Sequence, residues 1–353
     1  MTQVKRINRI FMMAVAPFIG MMIFILISSL QVSIQLTMPD NTSFTQDWNE
    51  SQKQITLGLT KAQHTAEYTM ETVGRVSKLY QKTTNTMNSI VNTASAQAKR
   101  PEQIYNRRIT AKLGTPMDQV NSDKLTAELY RIGSTSYNGY AMKVKLKSPE
   151  AMKMTLGNDK FGGTETTMQA VQRYGAIAGV NAGGYADGRG GRYPLGTTVM
   201  NGKYIGGFHP SFKDLTFVGF NKEAKLIGGK FYSQYQLDKM DPHFGASFVP
   251  QLLHNGVSLK IPEKWASSRA PRTVIGNYKD DQLLIMVVDG YDENGKSGAL
   301  LSEMQKKMQN LGVQDAYTLD GGGSSSLIFK GRVVNNPSDG HLRQLPTHFL
   351  FFK

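Results

Sequence analysis

Residues 270–291 read APRTVIGNYKDDQLLIMVVDGY, and this stretch decides the fold class. Two apolar segments flank the polar residues 279–281, which is the pattern of two β-strands joined by a short turn. We therefore predict a β-hairpin. Arg272 opens the first strand and Asp289 closes the second, so both residues lie at the open end of the hairpin. There they either bind a ligand or form a salt bridge that merely closes the hairpin.

The sequence on both sides of this hairpin is rich in glycine and in short apolar segments. Strand patterns occur at residues 137–147, 176–181 and 316–319. Residues 298–311 form the clearest predicted helix of this region, and Gly312 is its stop signal. Strands mixed with few helices predict an α+β domain with mixed or antiparallel β-sheets rather than a repeating βαβ array.

The N-terminal residues have a different composition and predict a membrane anchor within residues 1–36. Lys5, Arg6 and Arg9 precede a charge-free apolar run over residues 10–30, and about 20 apolar residues suffice to span a bilayer as a helix. The basic flank predicts a cytoplasmic N-terminus, with the rest of the chain outside the cell membrane. The alternative is a cleaved signal peptide, which normally has a shorter apolar region.

Residues 37–104 are predicted to form a polar segment and a helical stalk, and residues 105–353 one further domain. Between Ile55 and Ile90, apolar or threonine residues recur at alternating spacings of four and three, which is a heptad-like seam. The stalk either self-associates through this seam or packs as a single amphipathic helix on the rest of the chain or on the membrane. Pro101 is predicted to end the helix.

The composition restricts the classes of partner and of chemistry. The formal net charge is +14, which favours polyanionic neighbours. Nucleic acid is not predicted as a partner, because the sequence has no zinc-finger spacing, basic zipper region or RNA-recognition signature. The chain has no cysteine, so disulfides, cysteine metal sites and thiol catalysis are excluded.

Residues 319–326 read LDGGGSSS and form the most informative motif. An apolar strand leads into Asp320, and glycines after it let the backbone approach a ligand and point several N–H groups at one anion. The run lies between two apolar strands, so a flexible linker is not expected. It is neither a P-loop nor a nucleophile elbow. The predicted anion-binding residues of this motif are Gly321, Gly322, Gly323, Ser324 and Ser325.

Two further stretches carry polar residues at the ends of predicted strands. Residues 179–206 read GVNAGGYADGRGGRYPLGTTVMNGKYIG, so that a buried strand delivers Asn181 into a glycine-rich turn. The C-terminal part contains NNPSDG at residues 335–340, which includes Asn336, and Arg343 follows it.

Taken in order, these motifs resemble those of the phosphodiester glycosidase family. The matching segments are residues 181–185, 271–276, 288–290, 320–325 and 335–340. Each motif alone is weak, whereas five in the same order are specific. Ala182 departs from the pattern, because the family commonly has glycine there. The resemblance covers residues 137–353 and nothing before Pro101.

The resemblance implies hydrolysis of the bond between the anomeric carbon of a sugar and a phosphodiester oxygen, in a glycan or an anionic cell-surface polymer. It implies that Arg272, the glycine-serine turn and Asn336 bind the phosphate. Either Asp320 or Asp289 would activate water or stabilise the oxocarbenium-like centre, and Asn181 would orient the sugar or the water. The alternative function is a non-catalytic module that holds a phosphorylated glycan in the same cleft.

Histidines are alternative acid-base candidates, although each is expected to be a surface or packing residue. They are His209, His243, His254, His341 and His348. No cofactor is predicted, and no spacing indicates a metal site. A hard cation held by aspartates and carbonyls is left open.

Overall fold

The structure is a computed structural model that describes residues 19–25, 28, 47–290 and 296–353. Two compact units divide the chain, Met1–Asn92 and Thr93–Lys353. In the first unit the described residues are helical. The second unit contains the β-sheets and the remaining helices.

The predicted transmembrane helix is not supported. None of the helices in the described part of the chain is long and apolar enough to cross a membrane. Within the predicted span, residues 19–25 and Ser28 are helical. The rest of that span lies outside the described residues. The fold-class prediction was therefore wrong in its transmembrane helix, and mostly antiparallel β-sheets with several helices are observed.

A long helix, α1, joins the two units in sequence. The helices are α1 (Asp47–Leu113), α2 (Thr167–Tyr174), α3 (Gln234–Asp238), α4 (Glu263–Ala266) and α5 (Leu301–Leu311). The prediction that Pro101 ends the first helix was wrong, because α1 continues through it. Proline removes one backbone hydrogen bond, but the turns after it are held by burial of Ile109 and Leu113 in the second unit.

Twenty described strands form the sheets, and every pairing among them is antiparallel. In chain order they are β1 (Asp118–Asn121), β2 (Leu125–Gly133), β3 (Asn138–Leu146), β4 (Met152–Leu156), β5 (Ala178–Asn181), β6 (Tyr185–Gly188), β7 (Gly191–Pro194), β8 (Val199–Met200), β9 (Lys203–Tyr204), β10 (Thr216–Asn221), β11 (Leu226–Gly229), β12 (Pro242–Phe248), β13 (Gln251–His254), β14 (Val257–Ser258), β15 (Arg272–Asn277), β16 (Leu283–Val288), β17 (Asp315–Leu319), β18 (Leu327–Phe329), β19 (Arg332–Val333) and β20 (Thr347–Phe351). Short 3₁₀ helices cover Pro149–Ala151, Gly157–Asp159 and Gly322–Ser324.

The largest sheet has eight strands in the order β1-β2-β3-β16-β15-β17-β13-β14. Two five-stranded sheets have the orders β11-β10-β12-β8-β9 and β19-β18-β5-β20-β4, and β6 pairs with β7. One face of the large sheet contributes to a core shared with both five-stranded sheets. Its other face packs against α5 and the end of α1.

Strand β16 lies in the middle of this arrangement and is apolar throughout because both of its faces are covered. Leu283, Ile285 and Val287 face the core between the sheets. Leu284, Met286 and Val288 face the helices. The helix predicted at residues 298–311 is confirmed as α5. It buries Met304 and Met308 and ends at Gly312, whose φ is 90°.

The predicted hairpin is confirmed as β15 and β16, and its register places the polar residues of interest. Arg272 pairs with Val288, so Arg272 and Asp289 lie at the same end. Thr273 also pairs with Leu319 of β17, so Asp320 follows at that end too. Strand β5 brings Asn181 to this end from the neighbouring sheet.

Replacing Ile285 by alanine tests the two-layer core. We expect Ile285→Ala to lower the free energy of unfolding of the second unit by about 2–5 kcal/mol, since a fully buried side chain leaves a cavity between packed layers. Val257→Ala is the control, because Val257 is 64% exposed. Thermal and urea unfolding followed by circular dichroism measure both changes. Equal effects of the two substitutions would contradict the packing described.

Candidate active site

The site is built where β15, β16 and β17 end beside β5. The structure brings Asp320 together with the three-glycine turn and Arg343, and it places Arg272 beside that turn. A Cβ built on Gly321 would lie 4.0 Å from Cδ of Arg272. The ends of strands from two sheets therefore converge on one region, as expected for side chains that act together.

Asn181 has no exposed surface and joins the two sheets beneath this region. Its Nδ2 donates to the carbonyl oxygen of Asp320 at 2.6 Å. Its Oδ1 accepts from Thr273 Oγ1 at 3.0 Å and from the N–H of Ser326 at 3.1 Å. Asn181 thus holds the backbone around Asp320 in place. The predicted contact of Asn181 with a sugar or a water would require surface that this side chain does not expose.

Asp320 is the carboxylate at the centre of the site. Burial raises its pKa to about 6, although the hydroxyl of Ser324, the N–H of Gly321 and the guanidinium groups of Arg343 and Arg192 all favour the ionised form. A carboxyl group with a pKa in this range can exchange protons near neutral pH. Such displaced pKa values are frequent at catalytic positions.

Arg343 connects the three-glycine turn to the C-terminal motif. Its Nη1 donates to Ser324 Oγ at 3.3 Å, and its Nη2 donates to Asp339 Oδ2 at 2.7 Å. A Cβ on Gly323 would lie 2.1 Å from Arg343 Nη2 and 2.2 Å from the Asp339 carboxylate. Glycine at position 323 is therefore what allows this ion pair to lie against the turn.

A second arginine, Arg192 of β7, lies in the same region and stacks on an aromatic ring. Its guanidinium lies over the ring of Tyr185 at 4.7 Å and donates to the Tyr185 hydroxyl at 3.2 Å. It also pairs with Asp187 at 2.9 Å. Tyr185 also lies near Arg343 and contributes to the raised pKa of its guanidinium group. Two cations and an aromatic ring therefore lie around Asp320, which is a composition suited to an anionic sugar derivative.

Arg272 and Asp289 lie at the expected end of the hairpin, but each hydrogen-bonds the backbone of a neighbouring loop and they do not pair with each other. Arg272 Nε donates to the carbonyl of Ala299 at 3.3 Å and Nη2 to that of Ser268 at 2.5 Å, and burial lowers the pKa of Arg272. Asp289 accepts from the N–H of Asn336 at 2.7 Å. Among the described residues no ion pair joins Arg272 to Asp289, so the alternative of a salt bridge closing the hairpin is not observed.

The three-glycine turn differs from the expected array of free N–H donors. It folds as a 3₁₀ helix, and the N–H groups of Gly322, Ser324 and Ser325 donate to the carbonyls of Pro271, Gly321 and Gly322 respectively. These three groups are therefore engaged within the protein. Any phosphate contact in this region falls on side chains or on the remaining N–H groups.

Two of the candidate histidines, His348 and His254, are paired with groups other than Asp320. His348 is fully buried opposite Asn181 in the sheet, its Nδ1 lies 3.1 Å from Thr167 Oγ1, and burial lowers its pKa to about 4. His254 is exposed and pairs with Asp315 at 2.9 Å. Within the described ranges, no group of three or more His, Cys, Asp or Glu side chains could hold a metal ion.

The positive charge of the chain is not confined to this site. A groove of about 570 Å³ is lined by Lys124, Lys153, Lys222 and Lys353, among other residues. It lies at the opposite end of β4 and β20, because it includes Met152 and Phe352. The groove shares no residue with the region around Asp320.

Comparison with known protein families identifies the family to which this chain belongs. The family model described as phosphodiester glycosidase matches residues 174–352, which is just over half of the chain and includes every residue of the site discussed above. The chain belongs to the phosphodiester glycosidase family. The resemblance inferred from the five sequence motifs is thereby confirmed.

The family relatives include animal and bacterial proteins. The chain is 26% identical over 162 residues to the N-acetylglucosamine-1-phosphodiester alpha-N-acetylglucosaminidase of Mus musculus, covering 41% of this chain and 30% of that protein. It is 38% identical over 78 residues to the SPbeta prophage-derived uncharacterized protein YomE of Bacillus subtilis, covering 22% of this chain and 12% of that protein. The chain thus spans less than a third of the length of either relative.

One solved structure supports the fold of a phosphodiester glycosidase. The zebrafish N-acetylglucosamine-1-phosphodiester alpha-N-acetylglucosaminidase catalytic domain, auto-inhibited by its pro-peptide, superposes with a TM-score of 0.54 at 20% identity. The match covers 66% of this chain and 85% of that chain. At this identity the likeness concerns the fold.

Sequence reasoning missed part of the site in this phosphodiester glycosidase. Tyr185 and Arg192 lie within the quoted residues 179–206, Asp339 lies within residues 335–340 and Arg343 follows them, yet the sequence motifs assign none of the four a role in the site. Their separation in sequence gives no sign that they meet. The available signal was that Arg192 and Arg343 each follow a motif rich in glycine or in turn residues. The roles predicted for Asp289, Arg272 and Asn336 stay predictions.

Adding a methyl group at Gly323 tests the position of Arg343. We expect Gly323→Ala to displace the Arg343–Asp339 pair from the turn, since the new Cβ would lie 2.1 Å from Arg343 Nη2. Because Arg343 lowers the pKa of Asp320, that pKa should rise further in the variant. Carbon-13 NMR titration of the Asp320 carboxyl measures the shift. Gly74→Ala is the control, since its Cβ would have nothing within 4 Å. An unchanged titration in Gly323→Ala would contradict the contact.

Replacing Asp320 by asparagine should stabilise the fold at neutral and alkaline pH. The folded state raises the Asp320 pKa from its ordinary value of 3.8 to about 6, so ionisation is less favourable in the folded than in the unfolded chain. The wild-type stability therefore falls as the pH rises across this interval. The gain in Asp320→Asn should reach up to about 3 kcal/mol above pH 6 and vanish below about pH 4. Thermal unfolding at several pH values checks this, and a destabilised variant at alkaline pH would contradict it.

Proposed function

We propose that this chain hydrolyses the bond between the anomeric carbon of a sugar and a phosphodiester oxygen, with Asp320 as the group that accepts the proton of the attacking water. The observation that supports this most directly is the position of the half-buried Asp320 carboxyl group beside Arg343 and Arg192, where burial raises its pKa to about 6. Its position within the family match adds to the argument.

The chemistry of the proposed reaction suits these residues. Water attacks the anomeric carbon, the bond from that carbon to the phosphate oxygen breaks with its electrons going to the phosphate, and the water proton passes to Asp320. The departing phosphate is a weak base, so stabilisation of its charge matters more than a strong general acid. Arg343 and Arg192 lie close enough to Asp320 to influence its ionisation, and we assign them to the phosphate together with Arg272.

The proposed substrate class is a sugar-1-phosphodiester of a glycan or polymer. Two lines support N-acetylglucosamine as the sugar: the animal relatives are named for that substrate, and Tyr185 offers a ring at the site. The net charge of +14 favours an anionic polymer as the natural carrier. The predicted location outside the cytoplasm stays a prediction.

The direct test incubates the full chain with the methyl diester of N-acetylglucosamine-1-phosphate and measures released reducing sugar. We expect turnover by the wild type and a loss of at least about a hundredfold in Asp320→Asn, which lacks the proton acceptor. Arg272→Ala and Arg343→Gln should each lose about tenfold or more in kcat/KM through weaker charge stabilisation. Arg332→Gln is the matched control, because Arg332 is exposed and pairs with Asp118.

The pH dependence separates the proposed role of Asp320 from a structural one. Because Asp320 acts as its anion, kcat/KM should rise as the pH increases through about 6. The residual rate of Asp320→Asn should lack this rise. If Asp320→Asn or all of the arginine variants kept wild-type rates, the assignment would be wrong. Binding of the diester without release of sugar would favour the non-catalytic module instead.

A further inference from the structure

Over residues 55–90, helix α1 carries one stripe of apolar, alanine and threonine residues that contains no charged residue. This stretch is one uninterrupted helix, so residues spaced alternately by four and three lie along a single stripe. We call this stripe the α1 seam. It consists of Ile55, Leu59, Ala62, Ala66, Thr69, Val73, Val76, Tyr80, Thr83, Met87 and Ile90.

The charges lie away from the α1 seam. In heptad notation the seam occupies positions a and d, with Leu59 at a and Ile55 at d. The charged residues between positions 55 and 92 are Lys61, Glu67, Glu71, Arg75, Lys78 and Lys82, and each falls at position b, c or f. Positions e and g, which flank the seam, are uncharged: Thr56, Gly58, Gln63, Thr65, Met70, Thr72, Ser77, Leu79, Thr84, Thr86 and Val91. The uncharged surface is therefore wider than the seam itself.

The threonines of this surface are already hydrogen-bonded by their own helix. Thr69 Oγ1 donates to the carbonyl of Thr65 at 2.7 Å and Thr83 Oγ1 to that of Leu79 at 2.8 Å. The flanking threonines 56, 65, 72 and 86 make the same bond one turn back. A buried hydroxyl without a partner is costly, but these hydroxyls keep their partner when the face is covered. Each threonine can then present its methyl group to a neighbour.

Among the residues that the structure describes, none covers the α1 seam. Val73, Tyr80 and Ile90 are each 62% exposed. A helix gains most of its stability in proteins from packing an apolar face rather than from intrinsic propensity. A seam of about five heptads with no cover is therefore an interaction surface.

We propose that copies of this chain associate through the α1 seam as a parallel bundle of more than two helices. A strict four-three spacing is the pattern of a helix that supercoils around a partner helix with the same spacing. Another copy of α1 has that spacing and a seam of the same length. A membrane-surface helix would carry a basic polar face and aromatic anchors. The outer face here mixes Glu67 and Glu71 with four basic residues, and the seam has neither Trp nor Phe.

The side chains at the d positions indicate the number of helices. These positions hold Ile55, Ala62, Thr69, Val76, Thr83 and Ile90. Nearly all are β-branched, and β-branched residues at d disfavour two strands and favour three or four. The uncharged residues at positions e and g also favour three or four helices, because these positions become more buried as the number of helices in the bundle increases. Cyclic closure of such a ring places all copies parallel and in register.

The absence of cysteine in the chain allows a clean cross-linking experiment. Thr69→Cys, Val76→Cys and Thr83→Cys, made singly in the full chain, place a thiol at d. Lys78→Cys places it at f and is the matched control. Because a parallel bundle brings identical d residues within disulfide reach, we expect all three d variants to give disulfide-linked dimers on mild oxidation. The control should give at least about tenfold less. Equal cross-linking of the control, or cross-linking at only one d position, would overturn the parallel bundle.

A second pair of variants measures the association itself. Sedimentation equilibrium of the wild-type full chain should give a mass of three or four copies. The double variant Val73→Glu, Val76→Glu places charge in the seam and should weaken association by about tenfold or more. Gln81→Glu, Asn85→Glu adds the same two negative charges on the outer face, at positions b and f, and should leave association unchanged. Circular dichroism confirms that both remain helical. A monomeric wild type, or association that survives the seam glutamates, would overturn the proposal.

Discussion

The buried amide of Asn181 is the interaction on which the rest of the site depends. It joins the carbonyl after β17, the hydroxyl of Thr273 in β15 and the N–H of Ser326 before β18. These groups belong to different sheets, and the amide that joins them has no exposed surface. Removing it would leave buried polar groups unpaired at a cost of about 1–3 kcal/mol each. Asn181 thus helps to position Asp320, together with the bond from the N–H of Asp320 to the carbonyl of Ala182.

The energetics of Asp320 show how the fold supports reactivity. Burial destabilises the ionised form of the Asp320 carboxyl group and raises its pKa. Ser324, the N–H of Gly321 and two arginines stabilise the ionised form and offset this effect only in part. The outcome is a carboxyl group that changes protonation state near neutral pH. Stability and reactivity are thus opposed at this residue, as is common where a site requires a strained or poorly solvated group.

Local patterns in the sequence predicted much of the fold, and tertiary contacts explain what they missed. The β15–β16 hairpin and helix α5 follow from apolar periodicity and turn residues, which act over a few positions. The meeting of Arg192 and Arg343 near Asp320 depends on strand order across two sheets, which no local signal encodes. The three glycines at positions 321–323 are compatible with many backbone conformations. Of the three residues, only Gly322 adopts a positive φ, at 59°. Hydropathy over residues 10–30 suggested a membrane span, but run length alone does not establish a helix of that length.

The strand order has a consequence for where this fold can be divided. The family match begins at residue 174, yet β16 pairs along its whole length with β3, which lies upstream of that boundary. A chain cut at residue 174 would leave the six apolar residues of β16 with an open edge, and an unprotected edge of this kind invites pairing between molecules. The region matched by the family model is therefore smaller than the region that must fold together. Loss of the upstream strands would be expressed first as aggregation rather than as altered chemistry.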